Sequence, residues 1–127
     1  MAIKLLLVED NPVVQRLYDV AFTIENLEVI TANDGQEALK LARSERPDVI
    51  IMDIMMPKMN GLEALQVLKS HKQTKAIPVI ILTAFEEETL VQQALQLGAA
   101  HYLLKGATEP DEIATIIRQV VATHPGA

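Results

Sequence analysis

A chain of 127 residues is long enough to bury a real core, and with half its residues apolar and 22% charged it has the balance of a folded globular protein rather than a disordered one. Its 17 acidic residues outnumber its 11 basic ones, giving a net charge of −6 with no Lys/Arg cluster, which argues against direct binding of DNA or RNA. Cysteine is absent, which excludes a disulfide framework and a thiolate zinc site and suits the reducing cytoplasm in which we expect the protein to reside.

Taken in chain order, the run Ile3–Val8 is short and apolar and reads as a first strand. Acids follow it where a signal peptide would need a small-residue cleavage site, and no apolar stretch approaches the roughly 18 residues of a membrane span. Asn11-Pro12 reads as the N-cap and first residue of a helix in which Val13, Leu17, Val20, Ala21 and Ile24 share one face. A weaker strand, Glu28–Ala32, leads through the turn Asn33-Asp34-Gly35 into a helix carrying Ala38, Leu39 and Ala42. Val49–Met52 is the third strand, and Asn60-Gly61 opens a helix with Leu62, Leu65 and Leu68 on one side. Val79–Leu82 is the fourth, followed by a helix bearing Leu90, Val91, Ala94 and Leu95, with Gly98 where a C′ glycine belongs. Ala100–Leu104 is the fifth, and Thr108 with Asp111 is expected to cap a last helix carrying Ile113, Ile116, Ile117, Val120 and Val121.

Five strands thus alternate with five helices. Strands apolar on both faces are buried on both faces, so the expected fold is α/β, a doubly wound five-stranded parallel sheet covered by helices. We expect a single domain over residues 1–127, its core between about 3 and 121, with a loose tail at Thr123–Ala127.

In such a sheet, ligands bind beyond the carboxyl ends of the strands. Those ends carry Glu9-Asp10, Asp53, Thr83 and Lys105. Singly, Asp10 reads as a helix cap, Thr83 as a loop residue and Lys105 as a solvated lysine. Asp53 is harder to dismiss, because it directly follows the apolar run Val49-Ile50-Ile51-Met52, where an unpaired carboxylate is costly. Three clustered carboxylates call for a cation, and hard oxygen donors without Cys or His suit magnesium. A carboxylate can act as a nucleophile toward phosphorus, with metal, hydroxyl and ammonium stabilising the transferring group.

The segments LLLVEDN, DVIIMDIMMPKMNGLEAL, PVIILTA and AAHYLLK resemble the successive signatures of response-regulator receiver domains of two-component signalling, including chemotaxis receivers, over nearly the whole chain. The resemblance implies strand order 2-1-3-4-5, with Asp53 as the phosphorylated aspartate and Glu9 and Asp10 as the acids that hold magnesium, Asp10 directly and Glu9 through water. It also implies a ligand in the Met55 backbone carbonyl, a phosphoryl-binding pair in Thr83 and Lys105, and a switch aromatic in Tyr102. The donor would be a phosphohistidine on a sensor kinase or phosphotransfer protein. The response would be a change at the surface of the fourth helix, fifth strand and fifth helix that controls a partner or output domain, with homodimerisation on phosphorylation a further expectation. Met55 and Phe85 would flank the approach of water to the phosphorylated site, and two large apolar side chains there imply slow self-dephosphorylation. On this reading the chain is a regulatory domain and not an enzyme acting on other substrates.

One departure is Gly106, which follows Lys105 where most receivers have proline, so the bond between them is expected to be trans. The pattern YLLKGAT is similar to that of receivers preceding a LuxR-type helix-turn-helix domain. Rival readings fit less well. A flavodoxin-like flavin binder needs a Ser/Thr/Gly-rich phosphate loop where this chain has Glu9-Asp10-Asn11-Pro12, and an aspartate-nucleophile phosphatase needs an acid where Met55 stands. A receiver-like module without phosphorylation is opposed by the completeness of the site.

Overall fold

The computed structural model describes residues 2–124. Ten elements alternate along the chain: β1 (Lys4–Val8), α1 (Pro12–Ile24), β2 (Glu28–Ala32), α2 (Gly35–Glu45), β3 (Val49–Met52), α3 (Gly61–Ser70), β4 (Val79–Thr83), α4 (Glu88–Gln96), β5 (His101–Leu104) and α5 (Pro110–Thr123). The strands pair in parallel in the order β2-β1-β3-β4-β5.

Alternate side chains of the central strands feed two cores. Leu6, Val8, Ile50, Met52, Val79 and Ile81 face α2, α3 and α4, which contribute Ala38, Ala42, Ala64, Leu65, Leu68 and Ala94. Leu5, Leu7, Ile51, Ile80 and Leu82 face α1 and α5, which contribute Tyr18, Phe22, Ile113, Ala114, Ile117 and Val120. The edge strand β2 has an exposed residue and three half-buried ones before Ala32, which accounts for its weaker apolar pattern.

Helix starts follow the sequence signals at three places. Asn11 Oδ1 accepts from the N–H groups of Val13 and Val14, Asp34 Oδ1 from Glu37, and Asn60 Oδ1 from Glu63. Gly98 has φ of 103° just beyond α4, the left-handed C′ position that glycine occupies without a Cβ clash.

Three local expectations are corrected. The cap of α5 is not Thr108 with Asp111. The N-cap is Glu109, whose N–H donates to Glu112 Oε1, while Thr108 N–H turns back to the Leu104 carbonyl. The core-facing side of α1 is not the Val13-Leu17-Val20-Ala21-Ile24 stripe, of which Ala21 is half-buried and the other four are exposed. Tyr18 and Phe22 are buried instead, with ring centroids stacked 5.6 Å apart. Both stripes have helical spacing, and the docking of α1 beside α5 on the sheet turns Tyr18 and Phe22 into the core. Thr123 is not loose but closes α5, its hydroxyl donating to the Gln119 and Val120 carbonyls. Residues 125–127 of the expected tail lie outside the described residues.

Candidate functional site

The strand order makes β1 and β3 neighbours, and their register sets Val8 beside Met52. The next residues, Glu9 and Asp53, therefore leave the sheet side by side, held by Glu9 N–H to the Ala32 carbonyl (3.0 Å) and Asp53 N–H to the Val8 carbonyl (3.2 Å). One oxygen from each of Glu9, Asp10 and Asp53 lies within 4.8 Å of the others. Glu9 is 3% exposed and Asp53 8%, whereas Asp10 opens to solvent.

Lys105, just beyond β5, reaches across two strands to this pair. Its Nζ donates to Glu9 Oε1 at 2.5 Å and to Asp53 Oδ2 at 2.7 Å. Burial pushes the ammonium's pKa down, but the hydrogen bonds to Asp53 and Glu9 and their charges outweigh it and leave Lys105 above the ordinary lysine value. The remaining Asp53 oxygen, Oδ1, accepts from the Ile54 N–H at 2.7 Å, and Glu9 Oε2 accepts from the Asn11 N–H at 3.1 Å. Asp10 stands apart: among the described residues its carboxylate has no hydrogen-bond partner.

One ammonium against three carboxylates leaves a negative surplus, carried by hard oxygen donors. That donor set fits a hard divalent cation such as magnesium and does not fit a soft metal. The Met55 carbonyl also accepts no hydrogen bond among the described residues and so remains a free oxygen on the loop after β3.

Thr83 ends β4, fully buried, and its Oγ1 accepts from Phe85 N–H at 3.4 Å; its carbonyl accepts from the Lys105 N–H at 2.9 Å, but no hydrogen bond joins its hydroxyl to the Asp53 or Lys105 side chains. Tyr102, on β5, packs its ring against the α2–α4 core and donates from its hydroxyl to the Phe85 carbonyl at 2.5 Å. Burial, then the charges of Glu87 and Asp53, push its phenol pKa up and keep the donor protonated. The Met55 and Phe85 side chains are 56% and 37% exposed. No described peptide bond is cis, so Lys105–Gly106 is trans as expected.

Sequence reasoning read Gly61 only as a turn residue. A Cβ there would sit 2.1 Å from the Asp53 carbonyl oxygen, while Gly61 N–H donates to the Ile54 carbonyl at 2.7 Å, so the bare glycine lets α3 start directly against the Asp53 peptide. Lys58, in the same loop, holds a left-handed backbone (φ 67°) and extends its ammonium to within 3.6 Å of Asp34 Oδ2. No local sequence signal marks either arrangement.

The family model described as the response regulator receiver domain matches residues 5–118. The chain belongs to that family. Among curated relatives, this receiver is 37% identical to the regulatory protein AtoC of Escherichia coli, over 93% of this chain and 25% of AtoC. It is also 37% identical to protein PilH of Pseudomonas aeruginosa, over 89% of this chain and 93% of PilH. Among solved structures, Vibrio cholerae chemotaxis protein CheY4 superposes with a TM-score of 0.87 at 31% identity, over 94% of this chain and 99% of that one. The receiver spans about a quarter to a half of the length of several curated relatives. It is thus a response-regulator receiver domain of two-component signalling with the flavodoxin-like fold of chemotaxis receivers, a regulatory family and not a class of enzymes. No helix among the described residues is long and apolar enough to cross a membrane.

Proposed function

We propose that this receiver accepts a phosphoryl group on Asp53 from a phosphohistidine of a sensor kinase or phosphotransfer protein, in a magnesium-dependent reaction, and that residues 1–127 act as one such unit. The observation that carries the reading is the double fixing of Asp53: Ile54 N–H holds Oδ1 and Lys105 holds Oδ2, each at 2.7 Å, in a nearly buried side chain beside two further acids. A carboxylate so oriented presents its lone pairs to an incoming phosphorus without a search.

In the transfer, an Asp53 oxygen bonds to phosphorus as the bond from phosphorus to the donor's imidazole nitrogen breaks, and the imidazole leaves with the electron pair. Lys105 is placed to follow the charge from the carboxylate onto the phosphoryl oxygens, and Thr83 supplies a hydroxyl from the neighbouring strand end. Magnesium, with Asp10, Asp53, the Met55 carbonyl and Glu9 as its donors, would neutralise charge on those oxygens. Met55 and Phe85 can neither orient nor deprotonate a water, so self-dephosphorylation is slow.

The movement of Thr83 toward the phosphoryl group would disturb the Phe85 backbone and, through its carbonyl, the Tyr102 hydroxyl. The response then appears on α4, β5 and α5, where a partner, an output domain or a second copy would read it. With a net charge of −6 and no basic cluster, the receiver itself does not bind nucleic acid. A cytoplasmic location, where such kinases present their phosphohistidine, suits a chain without cysteine.

The test is incubation with acetyl phosphate and magnesium, read by intact mass. Wild type gains one acid-labile phosphoryl group and Asp53→Asn gains none. The same label on Asp53→Asn would overturn the assignment.

A further inference from the structure

Gln15, on the second turn of α1, is half-buried and belongs to neither the acid set nor the phosphoryl-binding pair. Its Nε2 lies 2.9 Å from the Glu9 carbonyl, 3.2 Å from the Ala32 carbonyl and 3.1 Å from Asn33 Oδ1. All three neighbours are acceptors, so only the amide's NH₂ end can face them, which fixes its orientation. Asn33 is oriented in turn, its N–H and Nδ2 both donating to Glu37 Oε1 at 2.7 and 3.2 Å.

The β1–β2 ladder ends where Glu9 N–H meets the Ala32 carbonyl. Beyond that rung the Glu9 carbonyl has no strand partner, yet it is the peptide that aims Asp10. Among the described residues the Asp10 carboxylate has no hydrogen-bond partner, so the backbone of the Glu9–Asp10 peptide is what sets where this side chain leaves the chain. The Glu9 carboxylate is held independently, by Asn11 N–H and Lys105. One member of the acid set is therefore aimed by a hydrogen bond from outside it.

We propose that Gln15 is a positioning residue for the cation site: by donating to the Glu9 carbonyl and to the end of β2 it sets the Glu9–Asp10 peptide and so the direction of the Asp10 carboxylate. This rests on the reading of Glu9, Asp10 and Asp53 as a magnesium site. Outer partners that orient ligands influence metal affinity strongly while touching neither metal nor reactant. Gln15 should accordingly set how tightly magnesium binds and not how fast the loaded site takes up phosphate.

The test is magnesium titration of the full chain, followed through backbone amide shifts by NMR, in wild type, Gln15→Met and Gln15→His. Methionine keeps the length and helix preference of glutamine without its donors. Histidine at about pH 8, where an ordinary imidazole is neutral, returns one N–H at a similar reach. We expect Gln15→Met to weaken magnesium binding about tenfold, to speed exchange of the Asp10 amide in metal-free protein, and to leave the acetyl phosphate labelling rate at saturating magnesium at its wild-type value. Gln15→His should recover part of the affinity. Wild-type affinity in Gln15→Met, or equal weakening in Met and His variants, would overturn the inference while leaving the magnesium site standing. A labelling rate that falls at saturating magnesium would reduce Gln15 to a general structural role. Absence of magnesium binding in wild type would remove the site itself, and this inference with it.

Discussion

The two halves of the site's rim are built differently. On the side of β1 and β3, the two buried acids are each held twice, Asp53 by Ile54 and Lys105 and Glu9 by Asn11 and Lys105, while Gln15 holds the Glu9 peptide and the loop after β3 is set by Gly61 against the Asp53 carbonyl and Lys58 near Asp34. On the side of β4 and β5, the segment from Ala84 to Glu87 is exposed. It is tied by the 2.5 Å bond from Tyr102 to the Phe85 carbonyl and the long 3.4 Å contact between Phe85 N–H and Thr83. A carboxylate that must meet phosphorus benefits from over-determination. A loop that must answer a new charge needs few bonds to break, since regions with few buried contacts open at low cost. We propose that the nucleophile and the cation donors belong to the rigid half, reached by Thr83 and Lys105 from the other, and that the response belongs to the loosely tied Ala84–Glu87 segment.

Four measurements would break or sharpen that contrast, from the largest effect to the smallest. Gly61→Ala should destabilise the fold by about 2 kcal/mol, because its methyl must displace the Asp53 peptide; urea unfolding checks this, and a loss near zero would show that the rigid half yields easily. Across the two halves, Met55→Asn on the loop after β3 together with Phe85→Glu in the loose segment should speed loss of the phosphoryl label at least about tenfold, or ~1.4 kcal/mol of barrier, followed by radiolabel decay. Equal decay rates would show that neither side chain screens water.

Asp34→Ala should cost about 1 kcal/mol at neutral pH by removing the α2 cap. The hydrogen bond from the Glu37 N–H, with the Lys58 charge adding to it, holds the Asp34 pKa below its ordinary 3.8. The folded pKa is depressed, so this contribution is fully present above about pH 4 and fades as pH falls through the lower folded value. Chemical denaturation of both proteins at several pH values should thus find their difference shrinking in acid. Tyr102→Phe should have the smallest cost, about 0.5 kcal/mol for one partly exposed hydrogen bond. Its clearer sign would be faster hydrogen exchange at Glu86 and Glu87, with Asp53 and Ile54 unchanged; faster exchange on both sides would mean that the two halves are not independent.

Much of this was legible in the sequence because strand ends are. A buried strand is a short apolar run, so the first polar residue after it marks the sheet edge, and Asp53 after Val49-Ile50-Ile51-Met52 declares itself. The cap at Asn11 and the helix-opening turns at Asp34 and Asn60, which prove to be caps as well, were legible for the same reason, since a side-chain acceptor must sit within a few residues of the N–H it satisfies. Periodicity failed on α1. Val13-Leu17-Val20-Ile24 and Tyr18-Phe22 are both helical stripes, and only the packing of α1 beside α5 decides which of them meets the sheet.

The order of elements, the acid pair, the phosphoacceptor candidate and the lysine at the last strand were determined by the sequence itself, because strands, helices and their caps obey rules that act over a few residues. Tertiary structure alone decided that Lys105 bridges Glu9 and Asp53, that Gly61 must lack a side chain, and that Gln15 reaches the peptide before Asp10. Each of these depends on groups brought together by strand pairing and helix docking. Lys105 stands 52 residues from Asp53 along the chain and 2.7 Å from it in space, and no local pattern of residues encodes a distance of that kind.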